Sequence, residues 1–331
     1  MLRKHFPEVF PLFKKKTIQS YITPELEKYF TEERRKWENF AEKVAYNIKS
    51  KNPVKISEVL ESTPKSLPKF KEFDIRPLRV SFQPALFKDN VIPPVEVTDF
   101  PKEYILPKIN TGMLTKQNLD IEELYYISNN DVKKFINLLH DTVQNRLMAR
   151  KTNEIHNNIL VNNLLHIINL DTWPFNIKIN PPCKLIVYDK PYALACPELV
   201  INNNQHMAII VMNKYLQSDV KNFEEMQIAA EILTYGDENR RKACEISDQT
   251  IFAVRIIFTH VTFYKAVISA AYWKEIDNGL PRKQSVLIKR WPRKNGLQTG
   301  LDIAEPNGRE EVLLSLAKIR KFLLQNNSNT G

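Results

Sequence analysis

Proline constrains this chain more than any other residue, and it is unevenly spread. Twelve of its twenty prolines lie at or before Pro107. Each one removes a backbone donor and fixes φ, so neither a long helix nor a central strand tolerates many of them. Residues 1–127 therefore read as an extended, partly ordered N-terminal arm. One helix is expected inside it, from about 24 to 49: Thr23 can cap it, Pro24 suits the first helical position, and Glu25 and Glu27 favour the first turn. Tyr29, Trp37, Phe40 and Val44 recur near helical spacing within it. The stretch from 50 to 107 reads as coil with short extended pieces.

Regular structure is expected from 128 to 326, as a second region. Ser128-Asn129-Asn130-Asp131 looks like a helix start, followed by Phe135, Ile136, Leu139, Val143 and Leu147 at helical spacing. The pattern resumes through Ile155, Ile159, Leu160, Leu164 and Ile168, and Pro174, Pro181 and Pro182 stop it. Three short apolar runs then read as a meander of strands, at 184–189, 193–201 and 207–215. A helix over 222–235, two strands (IFAVRIIF and VTFYKAVI), a strand at 285–291 and a last helix over 307–324 complete an α/β pattern.

Composition removes several functions. The chain has seven glycines, the first at Gly112, so no G-x-G-x-x-G or Walker-type loop can be built and nucleotide-cradling enzymes fall away. Its most apolar stretch, 251–268, carries Arg255, His260 and Lys265, which excludes a membrane span there. Cys183, Cys196 and Cys244 show neither zinc-site spacing nor a disulfide framework, and the N-terminus lacks a signal-peptide pattern. A reducing compartment inside the cell, nucleus or cytoplasm, is expected. A net charge of +10 in 331 residues points to an anionic partner, nucleic acid first.

The chemistry centres on Pro197-Glu198 and on Met212-Asn213-Lys214, at the end of an apolar run. With Glu154 on the preceding helix, and in the order helix, three strands, helix, strand, these residues resemble the restriction-endonuclease-like superfamily, whose signature is written PD-(D/E)XK. From Lys151 to Leu324 the chain looks more narrowly like the nuclease-type domains of crinkler-like proteins of fungi and oomycetes. The resemblance implies a Mg²⁺-dependent nuclease. Glu154 and Glu198 would hold the metal, Lys214 would support the attacking water and offset charge on the phosphate, and Gln227 would face the same pocket.

Met212 departs from that pattern. The family places an acid two residues before the lysine, and a thioether is a poor ligand for Mg²⁺, which takes hard oxygens. Three readings follow: a diverged, weakly active or inactive nuclease; a silent nucleic-acid or protein-binding module that keeps the fold for its shape; and an effector-type protein whose N-terminal arm binds a host protein, compatible with either state of the site. The tract Lys289, Arg290, Trp291, Arg293 and Lys294 combines four cations with an indole and suits a nucleic-acid strand.

Overall fold

In the computed structural model the described residues are 75–119, 124, 126–147, 154–203, 206–214, 223–296 and 299–327. The expected helix at 24–49 lies outside them. What they form is mixed α/β, as the sequence implies. A sheet of order β1-β9-β8-β7-β6-β5-β2 has helices on both faces, and β10 pairs with β8 at one end. The strands are β1 (Val80–Pro84), β2 (Phe175–Ile179), β5 (Leu199–Asn203), β6 (His206–Lys214), β7 (Gln249–Ile257), β8 (His260–Ile268), β9 (Val286–Trp291) and β10 (Leu301–Asp302). A separate hairpin pairs β3 (Cys183–Val187) with β4 (Lys190–Ala195).

The helices are α1 (Thr111–Leu114), α2 (Asn130–Leu147), α3 (Glu154–Ile167), α4 (Phe223–Ala243), α5 (Ala270–Asp277) and α6 (Pro306–Asn327). Strand alternation divides their packing into two cores. Phe252, Val254, Phe263 and Ile201 face a core shared with α2, α3 and α6. Ile251, Ala253, Tyr264 and Val200 face the other, shared with α4, α5 and the β3–β4 hairpin. Among the described residues no helix is long and apolar enough to cross a membrane.

Three expectations change. The run 193–201 is not one strand: it breaks at Cys196-Pro197-Glu198, where Pro197 has no amide to give a ladder, and its halves join different sheets. In the main sheet the strand paired with β5 on its outer side is β2, hidden in the sequence because Pro174, Pro181 and Pro182 bracket only six residues, five of them in the strand. Nor is 127/128 a break in packing. Ile75, Leu78 and Val80 join the α4-side core, while Val91, Ile92, Tyr104, Leu106, Ile109 and Leu114 join the other. The prolines from Pro77 to Pro107 are compatible with burial because β1 is an edge strand and the rest of that segment is turns and short 3₁₀ helices.

Helix α4 runs eight residues past the expected end at 235, through a segment too polar to read as amphipathic. Tertiary contacts hold it. Gly236 sits where a Cβ would come within 2.6 Å of the Trp273 ring, so this helical glycine is required by close approach. The next residue, Asp237, is fully buried. It accepts from Arg240 at 2.6 Å and from the Ile186 amide at 2.8 Å, and pairs with Arg241 at 2.5 Å. The β3–β4 hairpin is thereby fastened to α4.

Candidate functional site

Antiparallel pairing sets Leu199 of β5 opposite Val211 of β6, so β5 begins where β6 ends. Pro197-Glu198 immediately precede β5, and Met212-Asn213-Lys214 finish β6. The two halves of the motif are thus backbone neighbours, as the sequence implied. On the other side of β6, the parallel strand β7 pairs Met212 with Arg255, Asn213 with Ile256 and Lys214 with Ile257. Glu198 is half-buried, and its carbonyl accepts the Asn180 amide at 3.0 Å.

Helix α4 brings further groups to its own face of the sheet. Gln227 donates its side-chain amide to Glu231 Oε1 at 2.8 Å, and Glu231 is only 1% exposed. Partial burial raises the pKa of the Cys196 thiol, and the charge of Glu231 raises it further. Burial likewise holds the Cys183 thiol up, to about 11, with the Tyr235 hydroxyl bonded to it. Neither thiol is set up as a nucleophile, which would need a lowered pKa.

Glu154 belongs to a different helix from Gln227 and Glu231. It opens α3, whose Leu160, Val161, Leu164 and Leu165 pack in the core on the opposite face of the sheet from α4. Among the described residues no three His, Cys, Asp or Glu side chains are grouped as a metal site would require.

The basic tract is split by strand alternation. Arg290 turns to the α4 side, where it is buried, ion-paired with Glu225 in the first turn of α4, and bonded to the Arg293 carbonyl at 2.9 Å. Trp291 turns the other way and stacks on Phe263, with centroids 6.2 Å apart, while Lys88 lies over its ring at 5.7 Å. The indole is half-buried in the α6-side core and is not presented to a strand. Lys289 also turns to that side, directly opposite Lys265. Arg293 and Lys294 are exposed in the loop that follows.

That loop reaches the motif. Arg255, 1% exposed and paired in register with Met212, donates to Asn295 Oδ1 at 2.8 Å and to Thr262 Oγ1 at 3.4 Å, with its guanidinium 5.8 Å from the Tyr264 ring. The ends of β5 and β6, the start of α4 and the loop after β9 therefore meet at one end of the sheet, on one face. Sequence reasoning missed Arg255, Asn295, Glu225 and Glu231. Two of these left a signal: an arginine alone in the apolar run IFAVRII, and a glutamate four residues after Gln227 on the same helix face.

Comparison of the chain with protein-family models and with curated proteins returns no match.

Proposed function

We propose that this chain is a diverged restriction-endonuclease-like protein that binds nucleic acid at the end of the sheet where β5 begins and β6 ends. The observation that carries the reading is convergence. The Pro197-Glu198 turn and the Met212-Asn213-Lys214 strand end are neighbours, and the loop bearing exposed Arg293 and Lys294 is bonded to Arg255 in the same register row. The element order α3, β2, β5, β6, α4, β7 supports it, with the β3–β4 hairpin as an insertion. Two exposed cations on a loop beside the site suit phosphate contacts, which position a strand without reading its sequence.

The donor set fits Mg²⁺ poorly. Glu198 offers hard oxygens, position 212 offers a thioether, and Glu154 opens a helix on the other face. Binding without hydrolysis is therefore favoured, with Lys214 and Gln227 as contacts to the phosphate backbone. The hydrolytic reading keeps Glu154, Glu198, Lys214 and Gln227 as its catalytic set.

Anisotropy titrations with single- and double-stranded DNA and RNA, each repeated with Mg²⁺, Mn²⁺ or EDTA and followed by gel analysis, separate the two. The expected result is salt-sensitive binding, equal in metal and EDTA, with intact nucleic acid. Metal-dependent cutting lost in Lys214→Ala selects the hydrolytic reading. No binding to any of the four sinks both.

A further inference from the structure

Strand direction gathers four strand ends at one end of the main sheet. β6 runs parallel to β7, β1 runs parallel to β9, and β8 lies antiparallel between β7 and β9, so β1, β6, β7 and β9 all finish where the proposed site lies. The row that closes β1 pairs Pro84 with Arg290, and the Ala85 amide donates to the Arg290 carbonyl at 2.8 Å. The side chain of Arg290 in turn donates to the Arg293 carbonyl at 2.9 Å. One residue therefore ties the chain leaving β1 to the loop that carries exposed Arg293 and Lys294.

The chain leaving β1 exposes Leu86 and Phe87, at 67% and 71%. A single exposed apolar residue is ordinary; what sets Phe87 apart is how firmly its backbone is held. Its amide donates to Asn90 Oδ1 at 3.3 Å, and its carbonyl accepts the Asn90 amide at 3.2 Å. Next in the chain, Lys88 pairs with Glu311 and lies over the Trp291 ring at 5.7 Å. Val91 and Ile92, both fully buried, anchor the far side of the turn in the core. A phenyl ring has few rotatable bonds and this backbone is already fixed, so ordering the side chain on binding costs little. The turn brings no net positive charge, because Lys88 is paired and Asp89 is exposed. What it offers is ring area, beside cations supplied by the neighbouring loop.

Cations for phosphate and an exposed ring for a base, side by side, are the combination that holds single strands. In a duplex the base faces are already stacked on one another, and a surface ring has none to lie on. We propose, resting on the nucleic-acid reading and narrowing it, that Phe87 stacks on an unpaired base and that the nucleic acid bound at this end of the sheet is single-stranded. Its backbone crosses Arg293 and Lys294 while one base turns onto Phe87. From the end of β6 to the exit of β1 is four strand spacings, roughly 19 Å, a width that an extended strand of about four or more nucleotides covers. Every base has a π face, so stacking of this kind carries little sequence preference.

Anisotropy titrations of the full chain over a salt series test it, with a single-stranded DNA, a single-stranded RNA and their matching duplexes as probes. The wild type is compared with Phe87→Ala, Phe87→Leu and Phe87→Trp. The wild type should bind single strands more tightly than duplexes. Phe87→Ala and Phe87→Leu should each weaken single-strand binding by about 5- to 150-fold, the range for losing one base–aromatic stack, with duplex affinity and salt slope unchanged. Phe87→Trp should hold the affinity or tighten it. The ring is exposed, so the urea unfolding midpoint should not move in any of the three. Duplex preference in the wild type, single-strand affinity within about twofold of wild type in Phe87→Ala, or full affinity in Phe87→Leu overturns the stacking role and leaves the nucleic-acid reading standing. No binding of the wild type to any probe overturns both.

Discussion

The two ends of α4 handle buried charge differently. At the C-terminal end Asp237 is matched by two arginines, and Arg240 extends the network to Asp277 at 2.6 Å while its guanidinium lies 5.3 Å from the Trp273 ring. At the N-terminal end Glu225 pairs with a single arginine, Arg290, while Glu231 accepts from the amide of Gln227 and Arg255 donates to Asn295 and Thr262. Opposite charges at hydrogen-bonding distance make a rigid joint whose loss strands a buried ion. The N-terminal end adds hydrogen bonds to amide and hydroxyl groups at a place where strand ends and a loop meet. The first end fastens the β3–β4 hairpin to the helix; the second is the end at which we propose that nucleic acid binds.

Breaking the joint should have the largest effect. Asp237→Ala leaves Arg240 buried beside Asp277 alone and frees the Ile186 amide, so a loss of about 3–5 kcal/mol is expected in urea unfolding. A loss below about 1 kcal/mol would mean the hairpin does not depend on this joint. Next comes Gly236→Ala, whose methyl would meet Trp273. About 1–3 kcal/mol is expected from overpacking, together with a changed tryptophan signal in near-UV circular dichroism.

Glu231→Gln sharpens the contrast from the other end. The isosteric amide can still bond to Gln227, so stability should shift by under about 1 kcal/mol. If unfolding shows as large a loss as Asp237→Ala, the two ends are alike and the distinction fails. The smallest effect belongs to the loop. Arg293→Ala with Lys294→Ala should leave the unfolding midpoint unchanged and reduce the slope of log affinity against log salt by about 1.4–1.8 for nucleic acid. An unaltered slope would remove this loop from the interface.

Much of the domain was legible because its elements carry strong local patterns. The spacing of Phe135, Ile136, Leu139 and Val143 implies α2, and IFAVRIIF and VTFYKAVI imply β7 and β8. The strand β2 was not legible: FNIKI is five residues long, and its place in the sheet comes from pairing with β5, 20 or more residues away. The N-terminal edge was misread for a related reason. Proline density marks the absence of helices and central strands, but Val91, Ile92 and Ile109 are buried in turns that have no period to detect.

The candidate site was half legible. Glu198 and Met212-Asn213-Lys214 could be placed together because antiparallel neighbours joined by a short connection have little choice of register. Glu154 could not be assigned a face, since a helix's sequence does not say which side of a sheet it covers. Lys289, Arg290 and Trp291 read as one basic patch until β9 sent Arg290 to one core and Trp291 to the other.

By itself the sequence determined the α/β class, the absence of a glycine-rich nucleotide loop, and the methionine where the resemblance expects an acid. These follow from residue identity and local spacing. Only the tertiary structure decided that residues 75–127 complete both cores, that the basic tract divides between two faces, and that Arg255 and Asn295 tie the loop after β9 to the end of β6. The reason is physical: a side chain's burial and charge environment are set by the strands and helices packed against it, and those neighbours lie tens to hundreds of residues away.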